Sequence, residues 1–276
     1  MIDLHSHTTA SDGLLSPAAL LDAAAAAGLT VLAITDHDTI AGYVEATHLS
    51  GTVRLDVVPG IEISAVQDGR DLHVLGYFLE PSSPQLSAFL DRLRTDRRRR
   101  VLEMTERLQS LGHPIDAQPI LDAADRGRSV GRPQVAHALV EAGHVRSRDE
   151  AFHRFLEHGG PAYVPRRGAS PVEVIRIIHE AGGLASIAHP GVYNRDDIIE
   201  PLASEGLDAI EARHSDHDAG TESRYRQMAA RLGLLVTGGS DFHGHHTHRT
   251  PSLGVVTLPE EDFTRLRDRA LQRRPR

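Results

Sequence analysis

Seven short apolar runs, most of them separated by helical patterns, constrain this chain more than any other feature of its sequence. Ile2–Leu4, Thr30–Thr35, Leu55–Val58, Leu72–Phe78, Leu184–Ala188, Ala209–Glu211 and Leu234–Thr237 read as strands. Pro17–Ala27 reads as a helix, with Ser16 as N-cap, Pro17 at the first helical position and Gly28 just past the end. Pro171–Ala181 and Glu222–Leu232 read as two more. Strands that alternate with helices predict a parallel barrel rather than a sandwich. Between about Pro84 and His158 the pattern changes to helices alone: Pro84–Leu111, Pro133–Ala142 and Arg148–Glu157. The expected organisation is therefore a barrel domain over 1–80 and 163–276, with a helical insertion over 81–162.

Histidines and carboxylates gather where these strands end. His5 and His7 lie at the end of the first strand, and alternation puts both on one face. Asp12 follows in the next loop. His37 follows the second strand in Thr-Asp-His-Asp, and Glu62 follows the third in Gly-Ile-Glu-Ile-Ser. His73 lies on the fourth, His189 follows the fifth in Ala-His-Pro, and Asp241 and His243 follow the last in Ser-Asp-Phe-His. In a parallel barrel the carboxyl ends of the strands meet at one mouth, where active sites are built. A lone histidine is more often a surface or hydrogen-bonded core residue, and His48, His113, His144 and His158 read that way. Nine ligand-type residues at strand ends do not. They are too many for one ion and suit two or three, and their nitrogen and oxygen donors suit Mn, Zn or Fe. Such a cluster attracts a phosphate and acidifies a water that can attack it.

Composition narrows the chemistry. The chain has 276 residues and no cysteine, which removes disulfides, thiolate ligands and thiol nucleophiles. All 30 of its basic residues are arginine, so lysine Schiff-base and P-loop lysine chemistry are excluded. The net charge of -8 argues against a dedicated nucleic-acid coat. The N-terminus carries no signal-peptide pattern, and no apolar stretch approaches the roughly 20 residues of a membrane span. The expectation is a cytoplasmic protein with no membrane and no stable nucleic-acid partner.

These residues closely resemble the motifs of the PHP family, named for polymerase and histidinol phosphatase. The resemblance runs through His5-Ser-His7 with Asp12, Thr35-Asp-His37-Asp, Gly60-Ile-Glu62, His73, His189-Pro and Asp241-Phe-His243. It implies an α/β fold, a distorted seven-stranded (β/α) barrel of PHP type with an inserted all-helical subdomain, and a trinuclear site most readily filled by manganese. It further implies that His5, His7, Glu62 and Asp241 hold one ion, Asp12, His37 and His243 a second, and Glu62, His73 and His189 a third, with Glu62 bridging. The insertion after His73 and the wording Asp-Leu-His-Val-Leu-Gly-Tyr resemble the branch of 3',5'-nucleoside bisphosphate phosphatases and 5'-3' exoribonucleases. The implied substrate is a small nucleotide or a short RNA end. A histidinol-phosphatase-like or polymerase-associated role stands as the alternative.

Substrate residues are read more coarsely. The apolar stripe of the long helix runs Leu90, Leu93, Val101, Met104, Leu108, Leu111, and Arg97 and Arg100 fall on it. An inward arginine is costly unless paired, so Arg97 and Arg100 are expected to grip a second phosphate. Arg132, at a predicted helix start, is a third candidate. His214 and His217, after the sixth strand, are candidates to donate a proton to the leaving oxygen. Asp36 and Asp38 flank His37 and are candidates to orient ligand histidines, or simply to cap the chain.

Overall fold

A computed structural model describes residues 1–48, 55–244 and 252–273. The chain forms two compact units, Met1–Phe89 with Ala169–Arg276, and Leu90–Gly168. In chain order the elements are β1 (Ile2–Asp3), α1 (Pro17–Ala26), β2 (Val31–Ile34), α2 (Ala41–Thr47), β3 (Asp56–Gln67), β4 (Arg70–Tyr77), α3 (Pro84–Ser110), α4 (Gln118–Asp125), α5 (Arg132–Glu141), α6 (Arg148–Ala151), a π turn (Phe152–Leu156), α7 (Pro171–Glu180), β5 (Leu184–Ile187), α8 (Pro190–Tyr193), α9 (Ile199–Ser204), β6 (Ala209–Arg213), α10 (Ala219–Leu232), β7 (Leu235–Gly238) and α11 (Glu260–Arg273).

The seven strands form one sheet in sequential order. Its two outer strands approach each other: Leu4 N donates to Gly238 O at 3.2 Å, and Ser6 bridges Phe242 in parallel. The sheet thus curls into a nearly closed barrel, as the sequence predicts. Inside, Ile2, Leu4, Val31, Ala33, Leu75, Tyr77 and Leu184 pack with Phe263 and Leu266 of α11. A second cluster joins Leu20 and Leu21 of α1 to Leu32, Ile34 and Phe242.

One strand departs from the parallel expectation. β3 and β4 are an antiparallel hairpin, paired from Gly60 opposite Tyr77 to Gln67 opposite Arg70, and β4 pairs antiparallel with β5. The remaining neighbours are parallel. The reversal is made at Asp68-Gly69, both left-handed (φ 52° and 74°), as a two-residue turn with this pair requires. β3 is consequently much longer than Leu55–Val58, and Glu62 lies within it, not after it. Glycine at 60 allows the close crossing onto β2, because a Cβ there would lie 2.7 Å from Ile34 O.

Local signals account for most helix ends. Ser16 caps α1 by accepting from Ala19 N at 3.2 Å, and Gly28 follows at φ 77°. α10 begins at Ala219, three residues before the expected start, because Asp218 caps it by accepting from Thr221 N at 2.7 Å. The expected helix over Arg148–Glu157 is an α turn that widens into a π turn.

The Leu90–Gly168 unit has its own core: Val101, Met104 and Leu108 of α3 with Ile120, Val135, Leu139, Phe155 and Val164. Leu111, expected on the buried stripe, lies beyond the end of α3 and is exposed. Arg97 and Arg100 do lie on the buried face, at 7% and 1% exposure. Arg97 Nη1 donates to Val130 O at 2.9 Å and Arg100 Nε to Val164 O at 3.1 Å. Backbone carbonyls thus meet part of the requirement that the sequence reading gave to a phosphate. Arg132 lies over the Tyr163 ring, 5.6 Å from its centroid.

Candidate metal centre

All nine expected ligands come together at the mouth of the barrel. Glu62, fully buried, is the hub. Its Oε1 faces His73 Nδ1 at 2.8 Å and His189 Nε2 at 3.0 Å. Its Oε2 faces His37 Nδ1 at 3.1 Å, His7 Nε2 at 3.3 Å and His5 Nε2 at 3.4 Å. Asp241 Oδ1 closes the His5–His7 side, at 3.2 and 3.0 Å from their Nε2 atoms. Asp12 meets His243 Nε2 at 3.3 Å and lies 3.8 Å from both His7 Nδ1 and His37 Nε2.

The donor atoms sort into groups small enough to share an ion. One is His5, His7, Glu62 and Asp241, and a second is His7, Asp12, His37 and His243. A third is His37, Glu62 and His73. The third has His37, on Glu62 Oε2, where the resemblance implies His189, which follows β5 and approaches Oε1, the oxygen that faces His73.

Several backbone devices set this geometry. The isolated bridges His37–Glu62 and Ser6–Phe242 carry the sheet past the strand ends. Asp241, His189 and Asp38 all have left-handed backbones (φ 54°, 30° and 52°). Non-glycine residues held there cost about 1–3 kcal/mol each and collect at functional sites. Asp36 accepts from Thr8 N, Thr8 Oγ1 and Ser11 Oγ at 2.8, 2.7 and 2.6 Å, which fixes the loop between His7 and Asp12. Asp38 accepts from Ser64 N at 2.7 Å and donates its own N–H to Glu62 O. Glycine at 239 is required by contact, since a Cβ would stand 2.3 Å from His5 N.

The centre fits cations on its own chemistry. Among its buried atoms, His5 Nε2, both nitrogens of His7, Asp12 Oδ1, His37 Nδ1, Glu62 Oε2, His73 Nδ1 and Asp241 Oδ1 make no well-formed hydrogen bond. Native proteins rarely leave such groups buried together. Burial opposes ionisation of Glu62, but His37, His73 and His5 hold its carboxyl well below the usual range. Asp241 and Asp12 are depressed in the same way against burial, chiefly by His5 and by His243. Burial disfavours the charged rings too. The carboxylates around His5 outweigh it and raise that ring well above its usual range, and His7 rises to about 10. His37 instead falls to about 3, because burial dominates there. The pocket thus holds protons at sites where divalent ions can displace them.

Glu211 on β6 belongs to this centre and was not singled out from the sequence. Its Oε1 lies 2.8 Å from His5 Nδ1, and its Oε2 accepts from His189 N at 2.7 Å. It stays ionised, since burial is offset first by His5. The signal was a lone carboxylate in an otherwise apolar run, Ala209-Ile210-Glu211-Ala212. His243 is fixed similarly, with Nδ1 2.8 Å from Asp241 O.

The two proton-donor candidates part company. His214 is buried, with Nε2 3.4 Å from Asp241 Oδ2, and its Nδ1 accepts from Asp216 N at 3.1 Å. That leaves its proton on Nε2, facing the centre. His217 has both ring nitrogens engaged by backbone, Nδ1 with Ala212 O at 2.9 Å and Nε2 with Gly191 N at 3.2 Å. It ties α8 to β6, and neither nitrogen remains for a substrate.

Comparison with known proteins agrees with this geometry. The PHP domain family model matches residues 3–142. A 5'-3' exoribonuclease of Haemophilus influenzae is 37% identical over 250 residues, covering 87% of this chain and 89% of that protein. A 3',5'-nucleoside bisphosphate phosphatase of Chromobacterium violaceum is 32% identical over 268 residues, 94% of each. The solved structure of a candidate metal-dependent phosphoesterase from Bifidobacterium adolescentis superposes with a TM-score of 0.88 at 34% identity, covering 100% of this chain and 96% of that one. With the family's motif residues gathered on one buried centre and a family match over half its length, this chain belongs to the PHP domain family of metal-dependent phosphoesterases.

Proposed function

We propose that the protein removes a phosphate monoester from a small nucleotide, namely the 3'-phosphate of a nucleoside 3',5'-bisphosphate, with two or three manganese ions. The observation that carries this reading is Glu62, whose two oxygens face separate sets of imidazoles at 2.8–3.4 Å. A carboxylate so placed can be shared between ions. When bound, the ions supply positive charge to the phosphoryl oxygens and a water acidified toward neutrality. The chain's own residues do the rest. Glu211 holds His5 with Nε2 turned inward, Asp36 fixes the approach of Asp12, and His214 offers its Nε2–H to a phosphoryl or leaving oxygen. The 32% identity to the Chromobacterium violaceum phosphatase, over 94% of both chains, supports the choice of substrate. A second reading, trimming of short RNA from its 5' end, draws on the Haemophilus influenzae relative and uses the same chemistry. Phosphate release from adenosine 3',5'-bisphosphate, set beside end-labelled short RNA and histidinol phosphate, separates the readings. Turnover of histidinol phosphate alone would overturn both.

A further inference from the structure

Beside the centre, the tip of the β3–β4 hairpin and the segment from α8 onward enclose a pocket of about 220 Å³. Tyr193 forms a wall common to both. Its ring lies 5.2 Å from that of His189 and 6.1 Å from that of His73, centroid to centroid, and it also lines the pocket. Leu72, Val192 and Ile198 make the other apolar walls, while Gln67 and Asp71 supply an amide and a carboxylate.

Charge decides what such a pocket accepts. Its two guanidinium groups belong to Arg70 and Arg195. Arg195 is already held by Asp197 at 2.8 Å and by Asp68 at 3.0 Å. Asp71 on the lining, and Asp68 and Asp197 outside it on Arg195, offset both cations, so the pocket offers a second phosphate no net positive charge. A flat, uncharged heterocycle meets the opposite situation. Apolar walls cover its faces, an aromatic ring adjoins it, and Asp71 and Gln67 offer a carboxylate and an amide to its edge, the amide nitrogen giving one of its two hydrogens to Asp68 Oδ1 at 3.2 Å. Most ligand pockets have this make-up of apolar walls with a few placed polar groups.

We propose that this pocket binds the nucleobase of the substrate, with Asp71 and Gln67 reading its hydrogen-bonding edge. The inference rests on the reading of the chain as a nucleotide phosphoesterase, and it adds the residues that select among nucleotides. The Tyr193 ring adjoins both the pocket and the histidines His73 and His189.

Binding of adenosine, guanosine, cytidine and uridine to the metal-free protein, followed by saturation-transfer NMR, tests the pocket without any hydrolysis. Wild type is expected to bind at least one nucleoside, and Val192→Trp, which fills the pocket from an exposed position, to weaken it tenfold or more. Asp71→Asn is expected to change the order of preference among bases. In the manganese-loaded enzyme, Val192→Trp is expected to lower kcat/KM for adenosine 3',5'-bisphosphate at least tenfold more than for p-nitrophenyl phosphate, which has no base. Equal losses on the two substrates, or nucleoside binding that Val192→Trp leaves intact, would overturn the proposal. If nucleosides bind through Val192 but no bisphosphate is hydrolysed, the pocket stands and the substrate assignment fails.

Discussion

Glutamine at position 211 keeps the shape of the side chain and removes one acceptor, which makes it a sharp probe of the metal centre. The Glu211 carboxylate serves two buried partners, the His189 amide at 2.7 Å and His5 Nδ1 at 2.8 Å. A backbone N–H can only donate, so the carbonyl oxygen of the glutamine must face His189. Its NH2 group then faces His5 Nδ1, which is left to accept. With Nδ1 accepting, the proton that His5 keeps is the one on Nε2, the nitrogen 3.2 Å from Asp241 and 3.4 Å from Glu62, where it occupies the lone pair a cation would use. Loss of such a partner lowers metal affinity by about 10–100-fold, or about 1.4–2.7 kcal/mol. Because the change reverses the tautomer of a ligand and does not merely loosen it, the upper end is expected for Glu211→Gln. Titration of metal-free protein with manganese by calorimetry measures it, with the melting temperature as a check on folding. A variant that binds manganese within twofold of wild type at the same stoichiometry would refute the argument that Glu211 sets His5.

Three further outcomes follow from the geometry. Glu62→Gln, which weakens the one carboxylate shared by five rings, is expected to lose at least one bound metal by elemental analysis and about 10³-fold or more in turnover; full metal stoichiometry would contradict the bridging role. Gly239→Ala places a Cβ 2.3 Å from the backbone nitrogen of His5, and is expected to cost about 1–3 kcal/mol, read as a fall in melting temperature; an unchanged melting temperature would show that the two strands can separate there freely. Asp208 joins His179 Nε2 (2.8 Å), Ala185 N (2.9 Å) and Arg273 Nη1 (2.7 Å), and these partners hold its pKa below the usual value despite burial. A depressed folded-state pKa stabilises the protein above the unfolded value and loses that contribution as pH falls through the folded one. Asp208→Asn should therefore cost about 2 kcal/mol near neutrality, with the gap to wild type closing below about pH 4; a gap that persists in acid would assign it to packing.

Much of this molecule is legible from local signals, and the parts that are not share a cause. The strand runs are apolar enough to stand out, and their ends carry His5, His7, His37, His189 and Asp241 because a barrel mouth is made of strand ends. Caps such as Ser16 and Gly28 mark α1 because they satisfy its terminal groups within the segment itself. The hairpin was legible in principle. Asp68-Gly69 is a strong turn signal, but a third strand ended at Val58, with Glu62 after it and His73 on a separate parallel strand, hid it. Glu211 could not be assigned its partner from spacing, since His5 stands 206 positions away. Nor could Arg97 and Arg100: periodicity put them on the buried face, but the carbonyls of Val130 and Val164 that receive them are reached only by folding.

The barrel closes by joining its first strand to its last. Asp3 accepts from Ser240 N across 237 positions, and the centre draws His5 and His7 from one edge of that seam and Asp241 and His243 from the other. A ribosome that has made the chain as far as β6 has therefore produced most of the imidazoles but no complete pocket. Contacts this distant are slow to form, so hydrolytic competence is acquired last, when the two ends meet. A chain stopped at β6 lacks Asp241 and His243, and with them one carboxylate of the His5–His7 group and one imidazole of the Asp12 group.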